Sequence, residues 1–299
     1  EGGRSGMTGF GSFHPAVLFI YYVLALVFSM ISMHPLLALA SLCGSFLFYA
    51  FLNGGRKTLS QFFFCAGMFV IMAGINAMYV HNGETILFFM NDNPITLEAL
   101  IYGAVSSVML VSVLMWCSCY SVILTTDKFL YLFGKTVPKL GLILSMAFRM
   151  IPLFQLQSKK IRQSQKSMGL YATDAVVDKA GGSFRVFDSL LTWSMENAVD
   201  TADAMKARGY GLKGRTNFSL FRFRRRDGIM LGVMAFFTAV IVGCFALGGF
   251  SFYYYPYVAK MQTTPVAIVG YAAVFLFLLL PGAVEGERKM SWHYWKSKI

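Results

Sequence analysis

Runs of roughly twenty apolar residues, separated by short polar loops, constrain this chain more than any other feature. They fall at about 15–31, 36–52, 59–80, 97–124, 229–250 and 265–280. Each is close to the ~20 residues that carry an α-helix across the hydrocarbon core of a bilayer. Only 13% of the residues are charged, against about 25% in a soluble protein, and mean hydropathy is +0.59. So few charges cannot cover a soluble surface of this size, so the spans predict a polytopic helical membrane protein.

The net charge of +12 is concentrated in one place. Residues 127–227 hold 18 Lys and Arg against 8 Asp and Glu, so one third of the chain carries nearly all the excess. Basic loops stay on the cytoplasmic side of a membrane. A cytoplasmic N-terminus puts Arg56-Lys57, the basic block and the tail cations Arg288, Lys289, Lys296 and Lys298 inside. It puts loop 81–96, which has Glu84 and Asp92 but no Lys or Arg, outside. Lys260 is the single exception. The chain then divides into N-terminal transmembrane helices (13–126), a cytoplasmic region (127–227), C-terminal transmembrane helices (228–285) and a cytoplasmic tail (286–299). Residues 1–6, ahead of Met7, are set aside as an added segment. Leu140–Phe154 is a further apolar run, interrupted by Arg149 and Pro152. It is read as an apolar helix packed under the bundle.

Within the basic block, Leu191, Met195, Ala198, Ala202 and Met205 recur at helical spacing and predict one apolar helix face. Gly209 supplies the residue that turns left-handed just past a helix end. Arg208 is thereby held at the last turn, where the helix dipole favours a cation. Arg149 to Gly169 has the same design and closes at Ser167-Met168-Gly169. These are two long helices, each ending in a tripeptide that starts with a small residue and closes on Gly.

Other signals point to no chemistry of the chain's own. The five cysteines all lie in apolar runs and suit neither a disulfide framework nor a zinc site. The four histidines are far apart, so no metal site is expected. Gly134-Lys135-Thr136 resembles the end of a phosphate-binding loop, but position 129 is Phe where the motif needs Gly. No catalytic or cofactor residue is assigned, and ATP is expected to bind elsewhere. Arg222-Phe223-Arg224-Arg225-Arg226 precedes a span and suits contact with anionic headgroups. Gly103-x-x-x-Ser107 permits close helix packing. Glu98 is expected near a membrane edge, in contact with water.

Four ordered blocks carry a resemblance. They are His14-Pro15 followed by a second opening at Pro35; Phe148-Arg149-Met150-Ile151-Pro152-Leu153 leading to Ser167-Met168-Gly169; Ala204-Met205-Lys206-Ala207-Arg208-Gly209-Tyr210; and Gly214-Arg215-Thr216 with Asp227 before a new span. The chain resembles, from about residue 13 to 285, the transmembrane T component of energy-coupling-factor transporters. That resemblance implies an all-α polytopic protein of about six transmembrane helices, with two long cytoplasmic coupling helices between spans four and five. It implies two ABC-type ATPase subunits as partners, a small substrate-binding S component, and residence in the cell membrane. In that family both coupling helices end in Ala-Arg-Gly and dock into grooves on the ATPases. Ala207-Arg208-Gly209 matches fully; the first tip departs, with Ser167 for Ala and Met168 for Arg. The implied interface is Ala204, Ala207, Arg208 and Gly209 with Ser167, Met168 and Gly169, supported by Arg149, Pro152 and Arg215. A stand-alone transporter or channel is the alternative. It predicts ionisable residues deep in the spans, and this sequence has essentially none.

Overall fold

A computed structural model describes residues 9–31, 33–80, 83–90, 93–169, 176–212, 221–259 and 264–296. Among these, nine α-helices follow in order: α1 Pro15–Met30, α2 Pro35–Asn53, α3 Gly55–Tyr79, α4 Leu97–Ile123, α5 Thr126–Thr136, α6 Pro138–Ser167, α7 Val176–Ala207, α8 Arg225–Ala246 and α9 Pro265–Lys296. One short antiparallel hairpin, β1 Ile86–Met90 and β2 Asn93–Thr96, joins α3 to α4. The chain divides into two compact units. One comprises residues up to Phe129 and from Phe221 onward; the other runs from Leu130 to Leu220.

In the first unit, α4 packs against α2, α3 and α1, and α9 packs against α2 and α8. Its centre is aromatic. Trp116, Tyr21, Tyr22, Phe10, Phe48 and Phe277 are fully buried, and Tyr21 stacks on Phe277 with ring centroids 5.2 Å apart. One group of polar side chains inside is paired, as an apolar surrounding favours. The indole Nε1 of Trp116 donates to Ser41 Oγ (3.1 Å), which lies 2.6 Å from Ser29 Oγ; Ser29 in turn donates to the carbonyl of Ala25. One short relay thus ties α4, α2 and α1 together.

Two histidine-proline pairs open helices in the same way. His14 Nδ1 accepts from Ala16 N, and His34 Nδ1 accepts from Leu36 N, each at 3.3 Å. Proline occupies the first helical position in both, where a missing N–H costs nothing. Proline inside a span is a different matter. The sequence predicts that the sixth span ends near Leu280, yet α9 continues through Pro281 to Lys296. Proline at 281 frees the carbonyl of Phe277. The buried Tyr21 hydroxyl lies 3.4 Å from that oxygen and 3.5 Å from the oxygen of Leu278, and it supplies a donor there.

Three more elements depart from the expectations. First, α1 is 16 residues long, shorter than the six helices whose length and composition suffice to cross a membrane. Second, α6 is one of those six. It runs unbroken through Arg149 and Pro152, merging the expected apolar run with the expected coupling helix. Its Leu140, Ile143, Ile151 and Leu156 side chains are exposed. Third, Glu98 is buried and not wet: it accepts from the hydroxyl of Thr85 at 2.6 Å and holds the base of the hairpin. Gly103 does permit close packing, since a Cβ there would lie 3.0 Å from Asn76 on α3.

At the connection between α8 and α9, the Tyr254 hydroxyl donates to the carbonyl of Met33. Burial pushes this phenol up to about 12. An unfolded chain loses that proton near pH 10, whereas the folded chain keeps it to about 12. Unfolding is therefore favoured progressively as pH climbs through this window. The melting temperature should fall there, and Tyr254→Phe should flatten that dependence. An identical pH profile in the variant would show that another group is responsible.

Candidate functional site

The second unit holds the two long helices that the sequence singles out. α6 spans 30 residues and α7 spans 32. They pack on each other, with the rings of Phe154 and Trp193 meeting edge to face at 5.9 Å. The turn into α6 explains Gly134, the residue in the incomplete phosphate-loop signature. A Cβ on Gly141 would lie 2.5 Å from the Gly134 Cα, so two backbones touch where α5 gives way to α6. Glycine serves close packing there.

The end of α7 is built by backbone hydrogen bonds. Gly209 adopts φ 78°, in the left-handed region open to glycine. Its N–H donates to Lys206 O at 2.9 Å, and the Tyr210 N–H donates to Met205 O at 3.0 Å. This pair of bonds is the Schellman motif, with Arg208 at the C-cap. A side chain at 209 meets strain from φ and a close contact, since a Cβ would lie 3.0 Å from Leu212 Cδ1.

The end of α6 shares the left-handed glycine and one of these two bonds. Gly169 has φ 75°, and its N–H donates to Lys166 O at 3.1 Å. Met168 therefore occupies the C-cap position that Arg208 occupies in α7, despite the difference in chemistry. Met168 is 71% exposed. Arg208, Ala207 and Ala204 are exposed too. Arg208 has no acidic partner among the described residues. Lys206 pairs with Asp203 at 3.3 Å, but both side chains are exposed and such a pair contributes little. Arg208 thus presents its planar set of five donors to the surroundings on a rigid helix end.

The remaining assigned residues fall differently. Ser167 turns back on its own helix, donating to Gln163 O at 3.0 Å. Arg149 and Pro152 lie within α6, both exposed. Arg215 lies outside the described residues. Among the described residues, no three His, Cys, Asp or Glu side chains gather closely enough to hold a metal ion.

A second feature of α7 is broader than the sequence suggested. The apolar face starts earlier, at Phe184, and every large side chain along it is exposed: Phe184, Phe187, Leu191, Met195 and Val199. Their spacing follows the helical repeat over about four turns. An exposed apolar stripe of this length on a charged helix is the kind of patch found at interaction surfaces.

Comparison with known proteins agrees with this architecture. A family model described as CbiQ, cobalt transport protein, matches residues 13–220, more than two-thirds of the chain. Among curated proteins, the energy-coupling factor transporter transmembrane protein EcfT of Listeria innocua serovar 6a is 35% identical over 107 residues, which is 35% of this chain and 40% of that protein. The protein of the same name from Lactobacillus helveticus is 28% identical over 117 residues, 38% of this chain and 42% of that one. That from Brevibacillus brevis is 30% identical over 112 residues, 37% of this chain and 42% of that one. The chain thus spans about two-fifths of the length of the curated relatives it matches.

Proposed function

Because the chain belongs to the CbiQ family, as a multi-pass transmembrane component of the energy-coupling-factor type, we propose that it is the coupling subunit of such an importer. In this reading it carries ATP-driven movement from two ABC-type ATPase subunits, identical or not, to a small membrane S component. The S component binds the cargo, a vitamin or a transition metal, and the ATPases bind ATP. The chain itself needs no cofactor and is a transport subunit. It resides in the plasma membrane with both termini and the α6–α7 unit in the cytoplasm, the orientation that its loop charges favour.

The observation that carries this reading is the matched pair of helix ends. A helix transmits displacement along its axis, and a rigid cap fixes what its tip presents. Two such tips on helices that pack together suit two ATPase grooves. Arg208 suits a groove that offers carboxylate or backbone oxygens to a guanidinium. Met168 suits a groove with an apolar wall, because its flexible thioether adapts to irregular surfaces. The exposed stripe from Phe184 to Val199 supports a third contact, with an apolar membrane partner such as the S component.

Photo-crosslinking from positions 167 and 207 in the co-expressed complex tests the assignment. Adducts with the ATPase subunits are expected from both positions; an absence of adducts from both would reject it. Met168→Arg restores the family's residue at the first tip. This variant should still assemble, with unchanged or tighter ATPase retention on co-purification. Complete loss of assembly would mean that the first groove excludes a cation.

A further inference from the structure

The arginine cluster at the start of α8 stands on backbone held by hydrogen bonds. Asp227, the adjacent carboxylate, is engaged by backbone and not by a guanidinium: its Oδ1 accepts from His14 N at 2.9 Å, its Oδ2 accepts from Arg224 N at 2.8 Å, and the residue is buried. Phe223 is fixed as well. Its ring lies edge-on to that of His14 at 5.5 Å and sits 3.6 Å from where a Gly228 Cβ would be, yet it remains 59% exposed. Arg222, Arg224, Arg225 and Arg226 are all exposed and make no ion pair among the described residues. The backbone beneath them is therefore fixed while the guanidinium groups are unpaired, a preorganised cation cluster.

The helix that the cluster opens sets its depth. α8 is a 22-residue apolar helix long enough to cross a membrane, so its first turn lies at headgroup level. Arg225, Ile229, Gly232 and Phe236 share one face at helical spacing. Ile229 is 69% exposed and Phe236 is 65% exposed. Between them, a Cβ at Gly232 would meet nothing within 4 Å. An open apolar track thus runs down the helix directly below the arginines.

We infer that this surface is a seat for one anionic phospholipid. The guanidinium groups of Arg225 and Arg226 hold its phosphate, Phe223 packs at the headgroup boundary, and an acyl chain lies along Ile229, Gly232 and Phe236. Charge complementarity selects an anionic headgroup, and the track below selects a lipid over a free anion. The assignment rests on α8 and the Phe223 that precedes it, and is independent of the coupling reading.

Native mass spectrometry of the full chain in detergent, titrated with phosphatidylglycerol or phosphatidylcholine, tests it. The first phosphatidylglycerol should bind at least about tenfold more tightly than the first phosphatidylcholine, given the usual attraction per basic residue at an anionic surface. The double variant Arg225→Gln/Arg226→Gln should lose that preference. Each single variant should lose about fivefold, which keeps the test readable if the double variant does not fold. Arg56→Gln/Lys57→Gln, at another basic membrane edge, should keep the preference. Excess inorganic phosphate at constant ionic strength should not displace the lipid. Equal binding of the two lipids would overturn the inference, as would equal losses in the two double variants. Displacement by inorganic phosphate would show a simple anion site and overturn it too.

Discussion

Arg208→Glu is expected to abolish recovery of ATPase subunits with this chain and to abolish ATP-driven uptake; Arg208→Ala should come close. The structure separates this effect from misfolding. The C-cap is held by bonds from the N–H groups of Gly209 and Tyr210, neither of which involves the Arg208 side chain. That side chain is exposed and has no acidic partner among the described residues. The only local loss is the favourable placement of a cation at a helix C-terminus, about 0.3–1 kcal/mol. A guanidinium buried in a partner's groove is worth more: truncating such a group costs about 2–5 kcal/mol, or about thirty-fold to a few thousand-fold in affinity. Glutamate adds repulsion from whatever oxygens the groove presents. Co-purification and uptake should therefore collapse while helical content and melting temperature barely move. Wild-type assembly and uptake in both variants would remove Arg208 from the interface.

Asp227→Ala should produce the largest loss of stability among single substitutions at the helix ends of the first unit. The carboxylate holds two segments that are 213 residues apart in one of its bonds and three apart in the other. Removing it leaves the N–H groups of His14 and Arg224 without an acceptor, at about 1–3 kcal/mol each where water cannot replace it. A net loss of roughly 3 kcal/mol is expected, read as a clear fall in the detergent melting transition. Asp227→Asn keeps one acceptor oxygen and should lose about half as much. An alanine variant that melts with the wild type would show that water reaches both N–H groups.

Asp227 is one of three buried charges that fasten residues 9–14. Lys128 Nζ donates to the carbonyls of Gly11 (2.8 Å) and Ile123 (2.9 Å), and burial lowers its pKa. Glu285 accepts from Phe10 N at 3.2 Å. The short segment before α1 is thus tied to the end of α4, to α8 and to α9. The sequence places Asp227 in a matching block but assigns it no physical role, and it assigns Lys128 and Glu285 none. A single charged residue has no local pattern that betrays its partner. Lys128 and Glu285 meet theirs across 117 and 275 residues.

Other features are plain in the chain. The apolar runs mark the spans because a bilayer demands a length and a composition that few other settings require. Gly169 and Gly209 mark two helix ends because left-handed backbone favours glycine. The hairpin at 86–96 is hidden, since Ile86–Met90 is five apolar residues with no alternation. The unbroken course of α6 is hidden too: proline ordinarily ends or kinks a helix, whereas Pro152 is accommodated within this one.

Sequence alone determined the membrane class, most of the apolar spans and the two capped tips, because each depends on residues within a few turns of one another. Tertiary structure decided which backbone groups the buried charges meet, and that Tyr21 serves the carbonyl freed by Pro281. Those outcomes depend on where distant segments return in space. An apolar interior makes an unpaired polar group costly, so the pairings of these buried charges and hydroxyls depend on contacts no local pattern contains.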